Sequence, residues 1–248
     1  MSITKKWGDH FRLPPPGNMM QAHENRHRTF VNQGTGIANA IVECLAKYGP
    51  DRNISDLTIL DFGCGVGRAA LPLFFNFRKP DHCVDVDPDA IAYLQQVLPE
   101  AKPEVSPFQP PLSFADDMFD VVYAISVWTH LPADSADLWL KEMRRILRPG
   151  GLALLTTSNY AVLAQRRAQE KPARESWSDV SDEDLRREGF IFKRTPSTPG
   201  TGTYGLASHD PAWILNNWSR YMPVIGIETG GINGTQDVNV LKKPAAVP

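Results

Sequence analysis

Three glycines spaced by single residues, Gly63, Gly65 and Gly67, follow Asp61 and stand directly ahead of Arg68. Glycine at this spacing lets backbone approach a bound group closely, because no Cβ intervenes. A helix beginning there would aim unpaired N–H groups at polar or anionic atoms of a ligand. A tight structural turn is the other reading of these residues taken alone. A dinucleotide fingerprint would place glycine where Arg68 stands and does not call for an acid at Asp61, so pyrophosphate binding fits poorly. No His or carboxylate cluster has metal-ligand spacing, and no metal is expected. Cys44, Cys64 and Cys83, an odd number, form no closed disulfide framework.

The elements that must position these residues can be read on either side. Leu57 to Leu60 is a predicted strand, and Arg68 to Phe77 the helix after the glycine turn. His82 to Val86 is a second strand; Asp87-Pro88 caps the helix through Ile91, Leu94 and Leu98. Five prolines between Pro99 and Pro111 allow only a brief strand, Glu104 to Ser106, with Asp116 and Asp117 forming a turn. Phe119 to Val127 is a strongly apolar strand. Asp134 or Ser135 is the expected cap of the helix through Leu140, Met143 and Leu147, which Arg148-Pro149-Gly150-Gly151 ends before a strand at Leu152 to Thr156. This alternation from about residue 57 to 157 predicts an α/β fold with a doubly wound parallel sheet.

Outside that core, Gly36 to Tyr48 reads as an amphipathic helix behind a mildly basic arm with three consecutive prolines at 14 to 16. Asn159 to Ser208 is a polar insertion with a helix start at Ser181 and a glycine-rich stretch from Pro199 to Gly205. Without evident further structure, an insertion of this length is expected to be a functional lid or else disordered. The chain closes with a predicted helix, Pro211 to Arg220, and strands near Pro223 to Glu228 and Val238 to Leu241. The expected division is one domain, 1–248: an arm (1–35), a ligand-binding core (36–157), a cap insertion (158–210) and a closing helix with two strands (211–248).

The 248 residues carry 26 Lys and Arg against 28 Asp and Glu, a net charge of −2. This removes the global positive field that drives phosphate-backbone binding. The N-terminal residues lack the apolar run of a secretory leader, and the longest charge-free stretch, Pro149 to Gln165, is interrupted by Thr156 to Asn159. A cytoplasmic protein with neither membrane nor nucleic acid as partner is expected; the sequence does not set its oligomeric state.

Four motifs in order, LDFGCGVGR at 60–68, VDVDPDAI at 84–91, LSFADDMFDVVYAISVWTHLP at 112–132 and LRPGGLALLTT at 147–157, resemble the class I S-adenosylmethionine-dependent methyltransferases. The resemblance implies a Rossmann-like, seven-stranded, mostly parallel sheet with one antiparallel strand near the C-terminus. S-adenosylmethionine is the implied cofactor and S-adenosylhomocysteine the product. It assigns Asp61 to the methionine ammonium end, Gly63, Cys64 and Gly65 to the aminoacyl part, Asp85 to both ribose hydroxyls and Val86 to adenine, with Ser126 also at the cofactor. Many relatives bind the adenine amino group with an Asp where this chain has Phe108-Gln109-Pro110-Pro111. Either Phe108 is expected to stack on the ring and Gln109 to bond it, or the backbone does so alone.

In this fold the acceptor lies near the carboxyl end of the fourth strand, here Ser126-Val127-Trp128-Thr129-His130. His130 is the candidate general base for a proton-bearing acceptor; otherwise it is a helix-start histidine that packs or bonds to backbone. Trp128 either walls the acceptor pocket or fills the core. Tyr204, His209 and Trp213 are expected to contact the acceptor, the alternative being that Tyr204 and Trp213 pin the insertion to the sheet. FVNQG at 30–34, SHDPAWILNNW at 208–218 and QDVNVLKK at 236–243 resemble a bacterial subgroup associated with polysaccharide or secondary metabolism. The expected activity is transfer of a methyl group to an O or N atom of a small molecule, a sugar or natural product. A noncatalytic S-adenosylmethionine-binding protein is the alternative.

Overall fold

The computed structural model describes residues 26–169, 176–194 and 204–245. Most of the arm, including the prolines at 14 to 16, and most of the glycine-rich stretch, including Gly200 and Gly202, lie outside them. The strands are β1 (Ile59–Phe62), β2 (His82–Asp85), β3 (Pro103–Val105), β4 (Phe119–Ala124), β5 (Leu147–Ser158), β6 (Phe190–Arg194), β7 (Gly205–His209), β8 (Val224–Ile232) and β9 (Gln236–Lys242). The helices are α1 (Arg26–Tyr48), α2 (Ala70–Phe77), α3 (Pro88–Val97), α4 (Ala133–Ile146), α5 (Tyr160–Gln169), α6 (Asp182–Glu188) and α7 (Pro211–Trp218). One sheet runs β3-β2-β1-β4-β5-β9-β8. Strands β1 to β5 pair in parallel, and β9 is antiparallel to both β5 and β8. This is the expected mostly parallel seven-stranded sheet, with β6 and β7 forming a separate antiparallel pair before the last two strands. The strand order reverses between β1 and β4, which opens a crevice at their carboxyl ends.

Side chains alternate across the sheet. Ile59, Tyr123 and Leu154 pack with Ile37 and Ile41 of α1, Leu71 of α2 and Leu94 of α3. Leu60, Phe62, Val122 and Leu155 face the other way, onto Leu140 and Met143 of α4 and Trp218 of α7. Each such side chain removed from water contributes about 1.5–3 kcal/mol. Asp61 shares the face of Ile59, so the period of two brings a carboxylate into the first of these cores.

Several boundaries differ from expectation. Helix α1 begins at Arg26, not Gly36, because Phe30 and Val31 are buried and Thr35 donates to the Val31 carbonyl at 2.7 Å. Gly36 is helical there, and a Cβ on it would stand 2.4 Å from Asn233 Oδ1. Strand β5 begins at Leu147, so Arg148-Pro149-Gly150-Gly151 is an irregularity within the strand: Phe119 pairs with Leu147, but Val121 with Leu152. Strand β4 stops at Ala124, two residues before Ser126 takes φ +63°. Neither Asp134 nor Ser135 caps α4, which follows Pro132 without a side-chain cap. The insertion has a fold of its own, not a bare lid loop: Leu163, Trp177, Val180 and Leu185 form a small core with Ile191 and Leu206.

Candidate functional site

The glycine turn leaves β1 with Gly63 at φ +75°, Gly65 at +50° and Gly67 at +79°, a region that favours glycine. A Cβ on Gly63 would lie 2.3 Å from Val127 Cγ2, which brings the turn directly against the segment after β4. Around Gly65 nothing stands within 4 Å of that position, leaving open space beside the backbone. The turn does not offer its first amides to a ligand, as the sequence suggested. Gly63 and Cys64 both donate to the Val84 carbonyl, at 2.8 and 3.0 Å, and Gly65 donates to Asp85 Oδ2 at 2.7 Å. The Asp87 amide donates to Asp85 Oδ1 at 2.9 Å, so both carboxylate oxygens are oriented by backbone at the end of β2. Burial nonetheless raises the Asp85 pKa.

Asp61 is buried, and the Tyr123 hydroxyl donates to its Oδ2 at 3.0 Å. Burial pushes its pKa up to about 8; the Tyr123 bond and Arg68 act against this, and the Asp85 charge adds to it. Arg68 Nη1 donates to Gln33 Oε1 at 3.1 Å and so ties α1 to the turn. Across from Asp85, which pairs with Val105 of β3, Val86 and Phe108 are both exposed apolar groups, Phe108 at 60%.

Beyond β4, the Ser126 amide donates to Thr156 Oγ1 at 2.7 Å, and Gln236 Nε2 donates to Ser126 Oγ at 2.9 Å. A non-glycine residue held at positive φ by neighbours on two other strands is characteristic of a functional site. His130 is half-buried, with Nδ1 2.9 Å from the Gly205 carbonyl and its ring stacked on Tyr204, centroids 4.6 Å apart. Burial lowers its pKa; the Gly205 bond opposes this and the Arg166 charge reinforces it. Burial, and after it the Asp85 charge, raises the Tyr204 pKa. Asp85, the glycine turn, Val127, His130 and Tyr204 thus form one continuous constellation at the crevice. The open space at Gly65, the oriented Asp85 carboxylate and the exposed apolar groups fit an adenosine-bearing cofactor whose amino end faces Asp61.

A methyltransferase domain family matches residues 60–155. This stretch contains both the glycine turn and the end of β4. The stretch is a methyltransferase domain, and it spans the crevice. Over 242 residues, 92% of this chain and 72% of the relative, the methyltransferase is 28% identical to 2-methyl-6-phytyl-1,4-hydroquinone methyltransferase of Synechocystis sp.. Over 168 residues, 58% of this chain but only 45% of the relative, it is 23% identical to a tRNA N(3)-cytidine methyltransferase of Gallus gallus. Among solved structures, magnesium protoporphyrin IX methyltransferase from Synechocystis, with S-adenosylhomocysteine bound, shares the fold. Its TM-score is 0.57 at 14% identity, covering 90% of this chain and 89% of that one.

Some site expectations need correction within this methyltransferase. Trp128 is fully buried and lies 6.1 Å from both Phe62 and Trp218, so it fills the core and does not wall a pocket. His209 is also buried, among Phe190, Trp213 and Trp218, and burial pushes its pKa down to about 3; it is a neutral core group. Trp213 stacks on Phe190, 5.3 Å between centroids, and covers Gly189, where a Cβ would be 2.3 Å from its ring. It pins the insertion, as the alternative reading held. Cys64 is buried and contributes backbone, not a thiol, to the turn. Asp116 and Asp117 form the expected turn, bonded by Arg145 and Lys243. Sequence reasoning missed Gln33, Tyr123, Thr156, Arg166 and Gln236. Gln33 and Gln236 lie in segments that carried the subgroup resemblance and Tyr123 and Thr156 in motifs that carried the family resemblance, while Arg166 had no local signal.

Among the described residues no helix is long and apolar enough to cross a membrane, and no three His, Cys, Asp or Glu side chains group as a metal site.

Proposed function

We propose that this methyltransferase moves a methyl group to an oxygen or nitrogen of a small cyclic acceptor, a sugar or natural product, held beneath the cap beside His130. The observation that carries this reading is the His130–Gly205 bond. A carbonyl oxygen only accepts, so Nδ1 of the neutral ring carries the hydrogen and Nε2 keeps its lone pair. Among the described residues nothing bonds Nε2. Burial and Arg166 favour the neutral ring, the form able to take a proton.

Bound in the crevice, S-adenosylmethionine would supply an electrophilic methyl group on a cationic sulfur. Asp61 would meet the ammonium end of this cofactor, Gly63 and Gly65 admit it closely, and Asp85 accept from the ribose hydroxyls. Val86 and Phe108 would cover the adenine faces, Gln109 bond its edge, and Ser126 hold the strand end beside it. His130 Nε2 would accept the acceptor's proton while Tyr204 and the cap exclude water. Two of the similar proteins are named for a hydroquinone and a porphyrin, both cyclic small molecules. The near-neutral charge disfavours a polyanionic acceptor such as tRNA. Buried, unpaired cysteines accord with a cytoplasmic location.

The test is product formation from labelled S-adenosylmethionine with a panel of sugars, phenols, heterocyclic natural products and tRNA. Methylation of a small hydroxyl or amine is expected, with tRNA inert. His130→Gln should keep cofactor affinity and lose turnover by on the order of 100-fold. Wild-type activity should fall with pH through an acid limb below the ordinary imidazole value. Near-wild-type turnover of His130→Gln would remove the base role, and methylation of tRNA alone would remove the acceptor class.

A further inference from the structure

We infer that Arg166 of α5 is a positioning residue for His130, fixing the strand that orients the imidazole and placing a permanent positive charge on that strand. This rests on the reading of His130 as the proton acceptor. Arg166 Nη1 donates to the Ala207 carbonyl at 3.0 Å and to Ser208 Oγ at 2.9 Å, and Nη2 donates to Ser158 Oγ at 3.1 Å. Ala207, Ser208 and Ser158 are all buried, and the guanidinium lies 4.6 Å from the centroid of the Trp177 ring. The planar fork therefore joins the last residue of β5 to β7 through fixed directions that a lysine ammonium does not reproduce.

Carbonyls two residues apart in a strand point to the same edge. His130 engages the carbonyl of Gly205 and Arg166 that of Ala207, so the two side chains dock on adjacent positions along one edge of β7. The other edge pairs with β6. An error in the seating of β7 on β5 would move the Gly205 carbonyl and, with it, the tautomer and direction of His130.

Among the described residues, the groups facing His130 leave Arg166 as the source of fixed charge. Tyr204, ahead of β7, stacks on the ring and is held neutral by burial and by Asp85 beyond it. His209 of β7 is neutral through burial. The end of β5 presents Thr156, Thr157 and Ser158, and the 3-10 turn that carries His130 adds Trp128 and Thr129.

Arg166→Gln and Arg166→Lys separate the charge from the fork. The readouts are an NMR titration of the His130 ring, assigned by its loss in His130→Gln, the pH dependence of kcat/KM, the plateau kcat, S-adenosylmethionine affinity and melting temperature. Arg166→Gln should raise the His130 midpoint, move the acid limb with it and cut activity below the midpoint several-fold, with cofactor affinity kept. Arg166→Lys should keep the midpoint near wild type but lower the plateau kcat, because the charge remains and the fork does not. An unmoved midpoint in folded Arg166→Gln would overturn the electrostatic role. A wild-type plateau in Arg166→Lys would overturn the positioning role, and this variant serves if Arg166→Gln does not fold. A shifted midpoint without a shifted acid limb would support the Arg166 coupling and overturn the base role of His130 instead.

Discussion

At Asp61 the cost of burying a charge outweighs the attractions around it, since the Tyr123 bond and Arg68 leave the carboxyl near 8 against an ordinary 3.8. The sign of the consequence follows from proton binding. Between those two values the folded, cofactor-free protein holds a proton that the unfolded chain does not, so its stability declines as pH rises through that window. A cation beside the carboxylate reverses the preference, and a cofactor whose ammonium end meets Asp61 must displace that proton. Affinity for S-adenosylmethionine should therefore rise from pH 6 to pH 8, by at most about tenfold per unit, and level off above. Calorimetry in buffers of different ionisation enthalpy should record proton release near neutrality, and Asp61→Asn should weaken binding and flatten the profile. A wild-type affinity independent of pH would place the ammonium end elsewhere.

At the scale of elements, the glycine turn divides its work between two positions. Gly63 has left-handed φ and Val127 against its α-carbon, whereas Gly65 has left-handed φ and open space. Alanine at 65 should cost about 1–2 kcal/mol of stability from backbone strain and, by filling the crevice, also weaken the cofactor. Alanine at 63 should cost more stability, because Val127 and the segment leading to His130 must shift. Melting and cofactor titration of the two variants check this; equal melting losses would show that Val127 yields freely. The same locality explains what could be read in advance. Asp87 caps α3 and Ser181 caps α6 through bonds spanning two or three residues, so their signals lie in adjacent letters. Tyr123 reaches Asp61 across 62 residues, and Arg166 reaches Ser208 across 42, through strand register and the seating of the insertion, which no local pattern encodes. Helix α1 extends ten residues ahead of Gly36, and this longer start is favoured by burial of Phe30 and Val31 and by the approach of Gly36 to Asn233. Residue type and position leave Trp128 open between pocket and core and suggest His209 for the acceptor, and only packing shows that both are core.

Across the whole molecule the two ends of the sheet do different work. The carboxyl ends of β1, β2 and β4 carry Asp61, Asp85 and His130, whose oriented or buried polar groups sit beside a crevice. The amino end of β4 carries Asp120, buried and fully engaged: Oδ2 accepts from the Thr58 amide and Arg148, both at 2.7 Å, and Oδ1 from Arg52 at 3.1 Å. Burial works against its ionised form, but the Thr58 and Arg148 bonds outweigh it and lower the pKa. A depressed carboxyl contributes stability above its ordinary pKa that is lost as pH falls through the folded value. The two arginines are nearly half exposed, so the ion pairs add little, and most of the contribution comes from the half-buried Thr58 amide that would lose its acceptor. Asp120→Ala should therefore lower stability by roughly 1–3 kcal/mol and leave S-adenosylmethionine affinity at the wild-type level. Asp85→Ala should reduce affinity by roughly 10- to 100-fold through loss of a charge-assisted contact to the ribose, and should lower stability as well, because the Gly65 and Asp87 amides lose their acceptor. Denaturant unfolding and cofactor titration on both variants decide it. If Asp120→Ala loses cofactor in proportion to stability, the two ends of the sheet are coupled and the crevice depends on the packing of the far end.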